Sequence, residues 1–409
     1  MPRSREEALA ADAADPIAGL RQRWVVSDDA PIYLDGNSLG RPARDTAERV
    51  NALLARWAVD LVGGWDDWID FPRRVGDRIG RLVGAAPGQV VMSDSTTVDL
   101  FKLAAAALDR SSGAVVADGC DFPTVRYVLQ GLGRPVRWLD GDPAEGVAAS
   151  DVGALLDGGA ALVCLSAVNF RSGAVADIPG ITRLAHDAGA LVLWDCSHAA
   201  GAVPVDLDRA GADLAVGCSY KYLNGGPGAP AWLYVRRELQ ERLRQPIWGW
   251  WGQREQFAMG EQYQPAPGVD RYQTGTPAVL GLVAVDAGID PLLAAGMPAL
   301  WAKARSLVAL LAARVEARLV PLGARLASPS DPARRGAHLA VAHPHALGAT
   351  RMLVERRLVV PDFRPPDLIR LAPVAGYTRY VEVWDAVESI AEVLSHPAVA
   401  DPVAPRRVT

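Results

Sequence analysis

Seven short apolar runs mark the middle of the chain, at residues 89–92, 114–118, 136–140, 161–166, 190–195, 214–219 and 231–235. They are rich in Val, Leu and Ala and apolar throughout, the pattern of a strand buried on both faces. Helical patterns lie between several of them, as at 98–108 and 181–188. Strand and helix repeated in this way predict an α/β fold, with a mainly parallel seven-stranded sheet flanked by helices. This large domain is placed at 45–275. After Pro277 the pattern changes to a long helical stretch, 280–322, interrupted near Gly296 and Pro298. A strand-like 338–342, a helical 348–357 and a strand-like 368–372 follow. They read as a smaller α+β domain over 276–409. Residues 1–44 are expected to pack with that smaller domain.

Composition narrows the class. Half of the 409 residues are apolar and 22% are charged, a balance that buries a large core without disulfides or metals. Lys and Arg number 42 against 47 Asp and Glu, a formal charge of −5, so no nucleic-acid-binding surface is expected. No apolar run approaches the roughly 20 residues of a membrane-spanning helix, and residues 1–16 lack the apolar core of a secretory signal. Cys120, Cys164, Cys196 and Cys218 form no Cys-x-x-Cys pair. They read as reduced core residues of a cytoplasmic protein. His343 and His345 stand two apart with no carboxylate cluster nearby, so no metal site is expected.

Three segments carry chemistry. Leu-Val-Leu-Trp-Asp-Cys-Ser-His over 191–198 ends a buried strand in Asp195, with His198 three residues on. Ligands of open parallel sheets bind outside the carboxyl ends of strands; the plainer reading of Asp195 is a helix N-cap. In Leu214–Gly228 a small-residue strand ends, and Lys221 follows between Tyr220 and Tyr222 before a glycine-rich loop. A lysine with so little acidic compensation can have a depressed pKa and form a Schiff base, or be an incidental loop residue. In Val91–Leu100 a strand ends, Asp94, Ser95, Thr96 and Thr97 follow, and a helix begins. That start is a phosphate seat or an N-cap made by Asp94 or Ser95. Phosphate seat, strand-end carboxylate and strand-end lysine on one parallel sheet together match the needs of pyridoxal 5′-phosphate (PLP). No Walker A sequence exists and no G-x-G-x-x-G opens a helix after a strand, which weakens nucleotide alternatives.

With these residues assembled, the sequence resembles the kynureninases, within the PLP fold-type I (aspartate aminotransferase-like) superfamily. The resemblance runs from Leu-Asp-Gly-Asn-Ser-Leu-Gly at 34–40 to Ile-Arg-Leu-Ala-Pro at 369–373. Its most specific stretches are Asp-Phe-Pro-Thr at 121–124, Trp-Asp-Cys-Ser-His at 194–198, Gly-Cys-Ser-Tyr-Lys-Tyr-Leu-Asn-Gly at 217–225 and Gln-Pro-Ile-Trp-Gly-Trp-Trp-Gly at 245–252. The resemblance implies hydrolysis of the Cβ–Cγ bond of L-kynurenine to anthranilate and L-alanine, a step of tryptophan degradation and NAD biosynthesis. It implies that Lys221 holds the cofactor aldehyde and takes the Cα proton, that Asp195 pairs with the ring nitrogen, and that His198 stands near it. Thr96 and Thr97 match phosphate ligands, Phe122 the aromatic that stacks on the ring, and Ser166 a polar cofactor contact. Tyr220 matches a phosphate-touching general acid. Trp250 and Thr276 match residues that reach the site from the second subunit of a homodimer. Arg370 matches the arginine that binds the α-carboxylate; Ser38 and Trp65 match positions near the aromatic end of the substrate.

Two departures stand out. The family carries a carboxylate where this chain has Val125, and often Ser-His-Val-Asn where this chain reads Ser-Ala-Val-Asn at 166–169. Loss of a nearby anion shifts cofactor titration, which keeps a ring-modified substrate such as 3-hydroxykynurenine open. Transamination is a further alternative. Cysteine desulfuration is disfavoured because no cysteine follows Cys218, and a non-catalytic PLP-binding regulator lacks any supporting basic tract.

Overall fold

The computed structural model describes residues 1–27 and 29–400. Residues 401–409, assigned above to the smaller domain, and residue 28 of the N-terminal segment lie outside the described residues. All seven apolar runs form strands of one sheet. Across it the order is Val90–Ser93, Ala231–Val235, Leu214–Gly217, Leu191–Asp195, Ala160–Ser166, Ala114–Asp118 and Val136–Leu139. Ala231–Val235 runs antiparallel to both neighbours, and the remaining pairings are parallel. Successive strand residues point to opposite faces, so one strand feeds two cores. Val163, Leu165, Val192, Trp194 and Trp232 pack on one side. Leu162, Cys164, Leu193, Leu214 and Leu233 pack on the other, with Leu100, Leu103 and Ala107 of helix Thr96–Leu108.

The second part of the chain holds a four-stranded sheet in the order Asp362–Arg364, Leu368–Leu371, Leu339–Ala342, Arg325–Leu326, antiparallel throughout. Helices Ala346–Glu355 and Tyr380–Leu394 supply its core partners. The long helical stretch is two helices, Val279–Ala295 and Met297–Arg318, bent by 86°. The break falls at Gly296, whose φ of +76° suits glycine, and Pro298 sits in the first turn after it. Met297–Arg318 buries Leu300 and Ala304 in the large-sheet core and Leu307, Leu311 and Val315 in the small-sheet core.

The N-terminal helix Arg5–Ala13 lies on Tyr380–Leu394. Arg5 pairs with Asp385 at 2.8 Å, and the Asp12 carboxylate accepts the Tyr380 and Val381 amides at 2.6 and 3.1 Å. These amides belong to the open first turn of that helix, where a carboxylate is favoured. Among the described residues, no single helix is long and apolar enough to cross a membrane.

Candidate active site

Three neighbouring strands of the large sheet end together. Ser166 pairs in register with Asp195, and Asp195 with Val216. Their carboxyl ends therefore line one rim, and the chain after Gly217 carries Lys221 along it. Lys221 is 9% exposed, with Nζ 3.3 Å from His198 Nε2 and 5.8 Å from the centres of the Phe122 and Tyr220 rings. Burial holds the Lys221 ammonium below the ordinary lysine range. Burial, with Lys221 beside it, pushes His198 well down. Both groups are thereby biased toward the neutral forms that can give and take protons. Gly40 secures the lysine's backbone: its amide donates to the Tyr220 carbonyl at 2.8 Å.

Asp195 is buried and its Oδ1 accepts the Ser197 amide at 2.8 Å. Ser166 donates its hydroxyl to Asp121 Oδ1 at 2.7 Å, and its amide to Asp121 Oδ2 at 3.1 Å. Burial, reinforced by Asp195, pushes the Asp121 carboxyl up to about 7. Asp121 is thus a second carboxyl beside Asp195, although Val125 and Ala167 are packed as apolar residues. Phe122 stands half exposed at the start of helix Pro123–Gly131, edge-on to Phe170 at 5.2 Å.

The helix start after Val90–Ser93 combines both readings of its sequence. Ser95 is the N-cap, accepting the Val98 amide at 3.4 Å, and Thr96 and Thr97 form the first turn. Neither threonine hydroxyl makes a hydrogen bond among the described residues. Asp94 is engaged elsewhere, with the buried Lys102 at 2.8 Å and the Thr274 hydroxyl at 2.9 Å.

Arg370 comes from the small sheet and is 1% exposed, so it is no surface ion pair. Its guanidinium binds Asp362, donates from Nη1 to the Phe170 carbonyl at 2.5 Å and from Nη2 to Ser38 Oγ at 3.0 Å. Ser38 therefore sits at the guanidinium. Trp65 packs among aromatics, 5.5 Å from Trp68 and 5.3 Å from Trp251, which itself meets Trp250 at 5.0 Å. Trp250 is 43% exposed and Thr276 is exposed. Among the described residues, neither makes a hydrogen bond or ring contact with Lys221, Asp195 or His198.

Three groups escaped the sequence reading. Asp121 lies within Asp-Phe-Pro-Thr at 121–124, where the sequence alone gives it no role. Asp362 and His338 gave no local signal, since their meaning lies in neighbours distant in sequence. No group of three His, Cys, Asp or Glu that could hold a metal exists among the described residues.

The donor set suits PLP. A buried, depressed amine, a strand-end carboxylate, a half-exposed aromatic face and unengaged hydroxyls at a helix start are the groups its aldehyde, ring nitrogen, ring face and phosphate require. Comparison with known proteins gives the family. Residues 300–390 match the kynureninase C-terminal domain. The chain is 39% identical over 411 residues to a kynureninase of Burkholderia pseudomallei, covering 97% of each chain. It is 38% identical to a kynureninase of Pseudomonas fluorescens, covering 96% of this chain and 95% of that one. Among solved structures, a cysteine desulfurase of Thermococcus onnurineus shares the fold, with a TM-score of 0.79 at 17% identity over 92% of this chain and 97% of that one. A C-DES variant with glycine covalently linked to its PLP cofactor has a TM-score of 0.76 at 16% identity over 91% of this chain and 99% of that one. On the near-complete match to its curated relatives, the chain belongs to the kynureninase family.

Proposed function

We propose that this chain is a PLP-dependent hydrolase that cleaves the Cβ–Cγ bond of L-kynurenine, giving anthranilate and L-alanine. The observation that carries the reading is the buried Lys221 amine on the same rim as Asp195, in a chain 39% identical to kynureninases over nearly its full length. Bound there, PLP supplies an aldehyde for the lysine or substrate amine and a cationic ring that draws electrons from the substrate.

The chain's own residues have these roles. Thr96 and Thr97 bind the phosphate, Phe122 covers the ring face, and Ser166 and His198 contact the ring's polar edge. Asp195 holds the proton on the ring nitrogen. Lys221 Nζ takes the proton from the substrate Cα, and its neutral bias favours that transfer. Arg370 binds the α-carboxylate through its positive charge. Trp65 serves the aromatic end, and Ser38, whose hydroxyl accepts from Arg370, braces the guanidinium. Water adds to the γ-carbonyl, the Cβ–Cγ bond breaks, and the Tyr220 hydroxyl protonates the alanyl carbon. Burial raises the Tyr220 pKa, so the hydroxyl keeps its proton at working pH.

The proposal extends to a homodimer in which Trp250 and Thr276 complete the partner's site. Support comes from apolar residues left exposed: Trp57, Val59, Leu61 and Val62 near one another in sequence, and Trp248 and Trp250. We also divide the chain into an N-terminal segment, 1–44, a large cofactor domain, 45–275, and a small domain, 276–409. Four unpaired cysteines, three of them buried, support a cytoplasmic location.

The test is incubation with L-kynurenine and PLP, reading anthranilate fluorescence and alanine, with 3-hydroxykynurenine as comparison. Lys221→Ala is expected to lose at least about 100-fold in turnover, the lower end for a positioned base. Undiminished anthranilate release by that variant removes Lys221 from the chemistry.

A further inference from the structure

His338 is fully buried, and neither of its ring nitrogens has a hydrogen-bond partner. Native interiors leave few polar groups in that state, and each such group asks for a cause. The position of this one supplies it. In the small sheet Ala340 lies opposite Arg370. Side chains alternate along a strand, so His338, two residues before Ala340, faces the same way as Arg370. Its ring centre is 5.7 Å from that of His198, and the charges of Arg370 and Lys221 both act on it. The imidazole therefore belongs to the same buried cluster as the guanidinium and the lysine amine.

The backbone that carries His338 is held closely. The Gly336 amide donates to the Gly173 carbonyl at 2.7 Å, and Ser328 donates to the Ser172 carbonyl at 2.6 Å. A Cβ on Gly173, where φ is +74°, would come within 2.2 Å of the His338 carbonyl oxygen. Packing of its backbone, with the Phe170 carbonyl nearby, holds the ring in place. Burial first, then Arg370 and Lys221, push its pKa down to about 3, while the Phe170 carbonyl pulls the other way. The ring stays neutral at working pH, with one N–H donor and one bare nitrogen.

Arg370 shows what that donor is for. A guanidinium has five N–H groups. Here Nε and Nη2 face Asp362, Nη1 donates to Phe170, and Nη2 donates to Ser38. Little of the fork is left to grip a carboxylate from two sides. We propose that His338 is a second binding group for the substrate α-carboxylate, its ring N–H donating to the oxygen that the engaged guanidinium does not reach. The proposal rests on the reading of Arg370 given above. It adds a residue to that site and makes carboxylate recognition shared between a charged and a neutral donor.

The test is calorimetric titration of the PLP-loaded protein with L-alanine and with L-alaninol, which lacks the carboxylate. In His338→Leu, L-alanine is expected to bind about 10- to 100-fold more weakly, the range for a hydrogen bond to a charged group. L-Alaninol affinity and PLP retention are expected to match wild type. His338→Asn, which keeps an amide donor, is expected to recover part of the loss. Equal weakening toward both ligands, or unchanged L-alanine affinity, overturns the proposal. A wild-type measurement guards against a variant that does not fold. In protein labelled with 15N-histidine, the His338 N–H resonance should move downfield with L-alanine and not with L-alaninol; no ligand difference overturns the assignment. Absence of anthranilate formation by the wild type would instead strike the reaction proposed above and leave this binding result intact.

Discussion

A single side chain shows how burial sets chemistry in this protein. Asp35 is buried, and burial with Asp362 nearby pushes its carboxyl from 3.8 up to about 7. In the folded chain it holds its proton to higher pH than in the unfolded chain. Its contribution to stability is therefore fully present below about 3.8 and is lost as pH rises through about 7. Asp35→Asn carries no such titration. Thermal melts from pH 4 to 8 are expected to show the variant gaining on wild type as pH rises; a constant difference in Tm would contradict the assignment. The same scale shows where sequence reading stops. Lys221 and Asp195 are legible because each follows an apolar run, and these runs end on one rim of the sheet. His338 is not, because nothing adjacent in sequence marks a histidine whose partners are residues 173, 198 and 370. Ser38 was assigned by resemblance to the aromatic end of the substrate, while its hydroxyl meets Arg370.

Among elements, the seven strands were the most legible, because burial on both faces demands continuous apolar runs. The helix Thr46–Asp60 was the least. None of its residues is fully buried, so its apolar face has no core pattern within one chain. Connections decide the site's geometry more sharply than strands do. Gly40 approaches the loop after Leu214–Gly217 so closely that a Cβ would sit 2.2 Å from the Lys221 carbonyl oxygen and 2.4 Å from Asn224 Oδ1. The neighbouring contacts are backbone and a buried amide, which cannot swing aside. Gly40→Ala is expected to cost about 1–3 kcal/mol, as overpacking does. Turnover should fall up to about 100-fold if Lys221 is the base proposed above, because its amine is displaced. Chemical denaturation and steady-state assay of the same preparation check both figures. Wild-type turnover in the variant would mean that the lysine loop tolerates displacement.

For the whole molecule, the proposed homodimer makes a distinctive prediction. If Trp250 serves the partner's site and Lys221 its own, Lys221→Ala and Trp250→Ala lesions lie on different chains of a mixed dimer. One of its two sites then carries both native residues. Equal mixing and subunit exchange should restore about a quarter of wild-type activity, since half of the dimers are mixed and each has one intact site. Activity no greater than the sum of the two variants would place Trp250 in its own chain's site or show that subunits do not share sites.

The helix Met297–Arg318 has a further consequence. One continuous rod is rooted at one end among the large-sheet residues and at the other among the small-sheet residues. Loosening either interior strips that rod of half its anchorage, so the two halves of the protein share one fate on heating. Scanning calorimetry should record one endotherm, and a protease that clips the rod should release no surviving fragment.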